Sequence, residues 1–108
     1  MSILISALNA HQILLANASS NVANMNTEDY RSIRTTITSP TEGSVDATTI
    51  RAIDTSPQEP EVPAASDVDP PKEFVDMIRA RRGFEAILGA ISAREEMLDD
   101  LMNTFSGK

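Results

Sequence analysis

PKEFVDMIRARRGFEAILGAISAREEMLDDLMNTF, residues 71–105, is the stretch that decides the fold. Phe74, Met77, Arg81, Phe84, Leu88, Ile91, Glu95, Leu98, Met102 and Phe105 alternate spacings of three and four without a break, and eight of the ten are apolar. Such spacing lays one stripe along a helix, and a stripe sustained over several heptads marks a helix packed lengthwise on another. Pro71 suits the first turn, and Gly107 suits the position just past the end. At about 1.5 Å per residue the helix would run roughly 50 Å.

The N-terminal segment supplies the partner. Ser2 can cap a helix start, and Leu4, Leu8, His11, Leu15, Ala18 and Val22 follow 4-3-4-3-4 spacing on one stripe. Ile3, Ile5, Ile13 and Leu14 widen it. Asn9, Asn17, Ser19, Ser20 and Asn21 are weak helix formers, so this helix depends on its partner. Asn24–Asn26 predict its end, because Asn tolerates the left-handed conformation that closes helices. It reaches only about two-thirds as far as the second helix. Leu98, Met102 and Phe105 therefore face solvent or another subunit.

All six prolines lie between residues 40 and 71, which divides the chain into helix, proline-rich middle and helix. Within the middle, residues 30–38 alternate Ile33, Thr35 and Ile37 against Arg34, Thr36 and Thr38. Residues 45–54 form a second candidate strand, and residues 40–44 with Gly43 supply a turn, which predicts a hairpin. Residues 55–70 read as an extended acidic linker. The expected fold is mainly α: two long terminal helices in an antiparallel, coiled-coil-like hairpin, with a short β-hairpin and Pro-rich extended middle. Residues 1–26, 27–70 and 71–108 are its three parts within one domain.

At 108 residues, with 4% aromatic side chains and no Trp, the chain can bury only a modest core. Its net charge is −7, and residues 41–71 hold seven acids against Arg51 alone. No basic face suggests a nucleic-acid partner. With no cysteine, disulfides and thiolate metal sites are impossible. The N-terminus has no basic n-region, and Asn9, His11 and Gln12 interrupt its apolar run, so it reads neither as a cleaved signal nor as a membrane span.

Little suggests catalysis. His11 is the lone histidine and sits on the helix stripe without convergent partners, so it reads as a packing residue. Arg79, Arg81 and Arg82 are a basic cluster that local pairs Arg81–Glu85 and Asp76–Arg79 can explain, although a charge at a seam position such as Arg81 can also meet a partner subunit. Glu95, Glu96, Asp99 and Asp100 read as a solvated face, since no calcium-loop Gly turn accompanies them. No phosphate loop or nucleophilic triad can be assembled. The expectation is no enzyme, no cofactor, no metal and no small-molecule substrate.

Ala7-Leu8-Asn9-Ala10-His11-Gln12 with Leu15, followed by Ser20 through Thr27 (SNVANMNT) and by Tyr30 and Arg31, resembles the N-terminal signature of flagellar rod, hook and hook-associated proteins. Asn21, Ala23, Asn24, Asn26, Thr27, Tyr30 and Arg31 carry the match. Glu73 through Ile78 (EFVDMI), Ala80, Arg82 and Phe84-Glu85-Ala86 resemble the family's C-terminal E-F-V-x-M-I-x-A-Q-R-x-F-E-A-N, and Glu96-Met97-Leu98 its later D-E-M-L. Asp29 stands where that family has Gly, Arg81 where it has Gln and Ile87 where it has Asn.

The resemblance implies a structural rod subunit, nearest to a short FlgC-type proximal rod protein within the FlgB/FlgC/FlgG group. Its partners would be copies of itself and other rod proteins. It would be exported by the flagellar type III apparatus without a cleaved signal and would sit in the periplasmic rod of the basal body. The seam residues Leu4, Leu8, Leu15, Val22, Phe74, Met77, Arg81, Phe84, Leu88, Ile91, Leu98, Met102 and Phe105 would then be the assembly interface. The rival reading is a free-standing helical-hairpin adaptor, or a reduced paralogue left out of the rod.

Overall fold

The computed structural model describes residues 2–51 and 65–107. Helix α1 spans Ser2–Ala23, strands β1 and β2 span Ile33–Thr38 and Asp46–Arg51, and helix α2 spans Pro70–Phe105. The mainly helical fold with a small two-stranded antiparallel sheet in its middle is the one expected. Residues 52–54 of the expected second strand, and residues 55–64 of the expected linker, lie outside the described residues.

α1 is the central layer. The β-hairpin packs on one side of it and α2 on another, and the strands make no packing contact with α2. Connectivity fixes the helix directions. The chain enters α2 beside the C-terminal end of α1, where the Asp67 amide donates to Tyr30 O at 3.4 Å and the Ser32 amide donates to the Asp67 carboxylate. Further along, Gly83 of α2 meets His11 of α1. The helices are therefore antiparallel.

The element boundaries have local causes. α2 begins one residue earlier than expected, with Pro70 and Pro71 both in its first turn and Asp69 in extended conformation (φ −100°, ψ 98°) before it. Both prolines are tolerated because first-turn amides have no helical acceptor in any case. At the other end Gly107 takes φ 76°, as the end of a helix favours. α1 ends differently from the expectation. Asn24, Met25 and Asn26 are not left-handed; the only non-glycine residue with positive φ among the described residues is Asp29, at 61°. Asn24 instead closes the helix through its side chain, with Nδ2 donating to Ser20 O at 2.8 Å and Oδ1 accepting from Thr27 Oγ1 at 3.1 Å. A side-chain amide that satisfies a terminal carbonyl removes the need for a left-handed residue there.

The strands pair with Ile33 opposite Arg51 and Thr38 opposite Asp46. In β1, Ile33, Thr35 and Ile37 turn toward α1 and are half-buried, while Arg34, Thr36 and Thr38 are exposed, the alternation expected of a half-buried strand. Gly43, at φ 87°, makes the connection.

Candidate assembly interface

Only Ala10, Ala18 and Ala80 are buried apolar residues among those described, and the largest fully buried side chain is the polar Asn21. The radius of gyration is 19.9 Å, against about 13 Å for a compact domain of about a hundred residues. A chain so elongated and so thinly buried leaves much of its apolar surface outside its own core.

A polar node holds the hairpin to α1. Asn21 Nδ2 donates to Ile33 O at 2.7 Å, and Asn21 Oδ1 accepts from the Ile33 amide at 2.8 Å and from the Tyr30 hydroxyl at 2.9 Å. One turn earlier, Asn17 Nδ2 donates to the hydroxyls of Thr35 and Thr49 at 2.9 and 3.1 Å. Near the start of α1 the Val45 amide donates to Ser6 Oγ at 3.0 Å. Arg51 covers the node from β2: its guanidinium lies 5.5 Å from the Tyr30 ring centroid and donates to Arg31 O at 2.9 Å. The asparagines that weaken α1 as a helix are thus the groups that fix the ribbon's register. Of the motif residues, Asn21, Asn24, Thr27 and Tyr30 form this turn, while Ala23 and Asn26 are exposed.

α1 turns a different stripe toward α2. Leu4, Leu8 and Val22 are half-buried, as is His11, whose ring lies against Gly83 while its Nδ1–H donates to Ala7 O at 2.8 Å. A glycine at 83 is what admits the ring: a Cβ there would lie well under 3.0 Å from Cδ2 and Nε2. On α2 the covered line runs through Glu73, Met77, Ala80, Phe84, Ile87 and Ile91. It shares Met77, Phe84 and Ile91 with the heptad stripe read from the sequence. Phe74, Arg81 and Leu88 of that stripe lie on its flank and are exposed, as is Leu15 across the groove. Small Ala80 and Gly83 take the inner places because they let the two backbones approach closely.

The flank is a groove between the helices. Two adjoining hollows of about 390 and 290 Å³ share Leu15 and Arg81; Phe84 and Leu88 line one, and Phe74, Met77 and Ile78 the other. Arg81 Nε donates to Glu85 Oε1 at 3.2 Å, and Asp76 is paired with Lys72 at 3.6 Å and with Arg79 at 3.8 Å. These pairs are local, at i,i+3 and i,i+4.

Beyond α1 the second helix runs alone. With His11 level with Gly83, the antiparallel register puts Ser2, nine residues before His11, level with Ser92, nine after Gly83. Residues 93–105 extend past this point for about 20 Å, and every described residue from 92 onward is exposed. Met97, Leu98, Leu101, Met102 and Phe105 lie here, Phe105 at 81% exposure.

Among the described residues, no cluster of three or more His, Asp or Glu side chains could hold a metal, and no helix is long and apolar enough to cross a membrane. The architecture defines a class: an elongated helical hairpin with a locked ribbon on one side and uncovered apolar helix faces. The sequence comparisons are specific within that class. The family described as "Flagella basal body rod protein" matches residues 1–31, and that described as "Flagellar basal body rod FlgEFG protein C-terminal" matches residues 64–104. The two matches lie at opposite ends, in order, and take in α1 with its closing turn and nearly all of α2. The chain belongs to the flagellar basal-body rod and hook family, a family of structural proteins. No individual curated protein matches it significantly.

Proposed function

We propose that the chain is a structural subunit of the flagellar rod, of the short proximal FlgC type, that assembles by burying its helix faces between neighbouring subunits. The observation that carries this reading is the pair of uncovered apolar surfaces on α2: the flank at Phe74 and Leu88, and the tail from Met97 to Phe105. Contiguous apolar surface of this kind on a small chain marks a contact site. Contacts between two different surfaces of one subunit propagate along an axis, as a rod requires, wherever their rotation does not close a ring. The subunit would pair with copies of itself and with other rod proteins, and would reach the periplasm through the flagellar type III apparatus without a cleaved signal. The seam residues read from the sequence, Leu4, Leu8, Leu15, Val22, Phe74, Met77, Arg81, Phe84, Leu88, Ile91, Leu98, Met102 and Phe105, are then divided: the inner ones close the hairpin and the outer ones meet neighbours.

Leu88→Asp tests this. Leu88 is 45% exposed in the single chain, so a carboxylate there stays partly hydrated and spares the fold. Enclosed by a neighbour, the same carboxylate loses water without a counter-ion, at a cost of several kcal/mol. In a deletion strain, Leu88→Asp should be exported but should not restore swimming. Swimming at the wild-type level would reject the helix faces as the assembly surface.

A further inference from the structure

We propose that the acidic tail of α2 in one copy docks into the arginine-bearing groove between α1 and α2 of a second copy, with Glu95 and Asp99 facing Arg81 and Arg82. This register rests on the assembly reading and goes beyond it by naming which two surfaces meet and what aligns them.

The apolar halves match. At 100° per residue, Leu98 lies five full turns beyond Ala80 and so continues the line that α1 covers earlier in the helix. Leu98, Leu101, Met102 and Phe105 extend that face with nothing beneath it. The groove offers two adjoining hollows walled by Leu15, Phe74, Ile78 and Leu88, with Arg81 between them. Side chains one turn apart on a helix, such as Leu98 and Met102, suit two hollows in a row.

Charge selects the occupant. Residues 94–100 hold Glu95, Glu96, Asp99 and Asp100 against Arg94 alone. Two tails packed on each other would bring these carboxylates together, so charge opposes a closed, tail-to-tail dimer. Arg81 and Glu85 line the groove, and Arg82 stands one turn from Ile78 at its rim, so lining and rim together carry one net positive charge. Arg82 is exposed and has no carboxylate partner among the described residues, and Arg81 is held only by the exposed pair with Glu85, which is weak enough to exchange. Glu95 and Asp99 lie one turn apart along one edge of the apolar face, and can reach these guanidiniums while the apolar residues fill the hollows. The contact is head-to-tail, so each copy leaves one tail and one groove open for the next.

Two full-length variants test the register by sedimentation velocity at low salt, with helicity checked by circular dichroism. Glu95→Arg/Asp99→Arg reverses the tail, and Arg81→Glu/Arg82→Glu reverses the groove. Each alone should associate about tenfold or more weakly than the wild type. An equimolar mixture should associate again, because every tail then finds a groove of opposite sign. A wild-type chain that stays monomeric, a variant that associates undiminished, or a mixture that stays dissociated while both variants keep wild-type helicity would each overturn the register. Should the variants lose helicity, a Leu98→Cys chain mixed with an Ile78→Cys chain takes their place. Oxidised with diamide, which takes up the two electrons and two protons, the two thiols should form a mixed disulfide in this otherwise cysteine-free protein, and failure to do so would overturn the register. Detection of the chain in basal bodies alongside any of these failures would reject the register and leave the rod assignment standing.

Discussion

Two glycines of α2, Gly83 and Gly89, differ in their surroundings, and alanine at each should act with opposite sign. A glycine inside a helix costs about 0.5–1 kcal/mol relative to alanine. Nothing lies within 4 Å of a Cβ built on Gly89, so Gly89→Ala should keep that gain and raise the midpoint of thermal unfolding by several degrees. At Gly83 the same Cβ overlaps the His11 ring, whose Cε1 would be 3.3 Å away and whose Cδ2 and Nε2 would be far closer. The ring cannot swing aside freely, because its Nδ1–H is bound to Ala7 O at 2.8 Å. Overpacking of this kind costs about 1–3 kcal/mol. The helix-propensity gain is common to both variants and cancels between them, so Gly83→Ala should be about 1–3 kcal/mol less stable than Gly89→Ala. Thermal and urea unfolding followed by far-ultraviolet circular dichroism would measure the gap. Adding His11→Ala to Gly83→Ala removes the ring and should recover much of the loss, as expected for a coupled pair. Equal stabilisation by both alanines would refute the close passage of His11 over Gly83, and with it the register of the two helices.

Asn21→Ala leaves the amide and carbonyl of Ile33 and the Tyr30 hydroxyl without this partner; a loss of about 2–3 kcal/mol should follow, with the hairpin amides exchanging faster than those of α2 by hydrogen exchange. Glu59→Ala should leave swimming unchanged in the complementation assay that Leu88→Asp fails, since Glu59 belongs to neither apolar seam and sits between Pro57 and Pro60 in an acidic stretch of the sequence.

The fold was legible where periodicity is strong. The unbroken 3-4 spacing of residues 74–105 predicts a helix close to the observed Pro70–Phe105, and the alternation in residues 33–38 predicts which face of β1 meets the core. The rotation of α2 about its own axis was not legible. A heptad stripe marks the average apolar direction, but a helix pair settles where backbones approach most closely, and here Ala80 and Gly83 win over Phe74 and Leu88. Gly83 and His11 were both visible in the sequence; their pairing depends on register, which no local pattern encodes. Asn17 and Asn21 read as weak helix formers because propensity scales do not register a partner lying across the chain. Their i,i+4 spacing, off the apolar stripe, was the available signal for a second packed layer. Asparagine was expected to take the left-handed position after α1, whereas Asp29 takes it, at the place where the resembling family has Gly. The tail was legible from helix lengths alone, since a partner of 22 residues cannot cover one of 36.

Incorporation into the rod is the central claim, and quantitative mass spectrometry of purified hook–basal bodies tests it most directly. The chain should be present at a fixed ratio to the other rod proteins and should be enriched over the soluble cytoplasmic fraction. Its absence from basal bodies, with the full amount recovered in the soluble cytoplasm, would contradict the rod assignment and favour a free-standing helical adaptor.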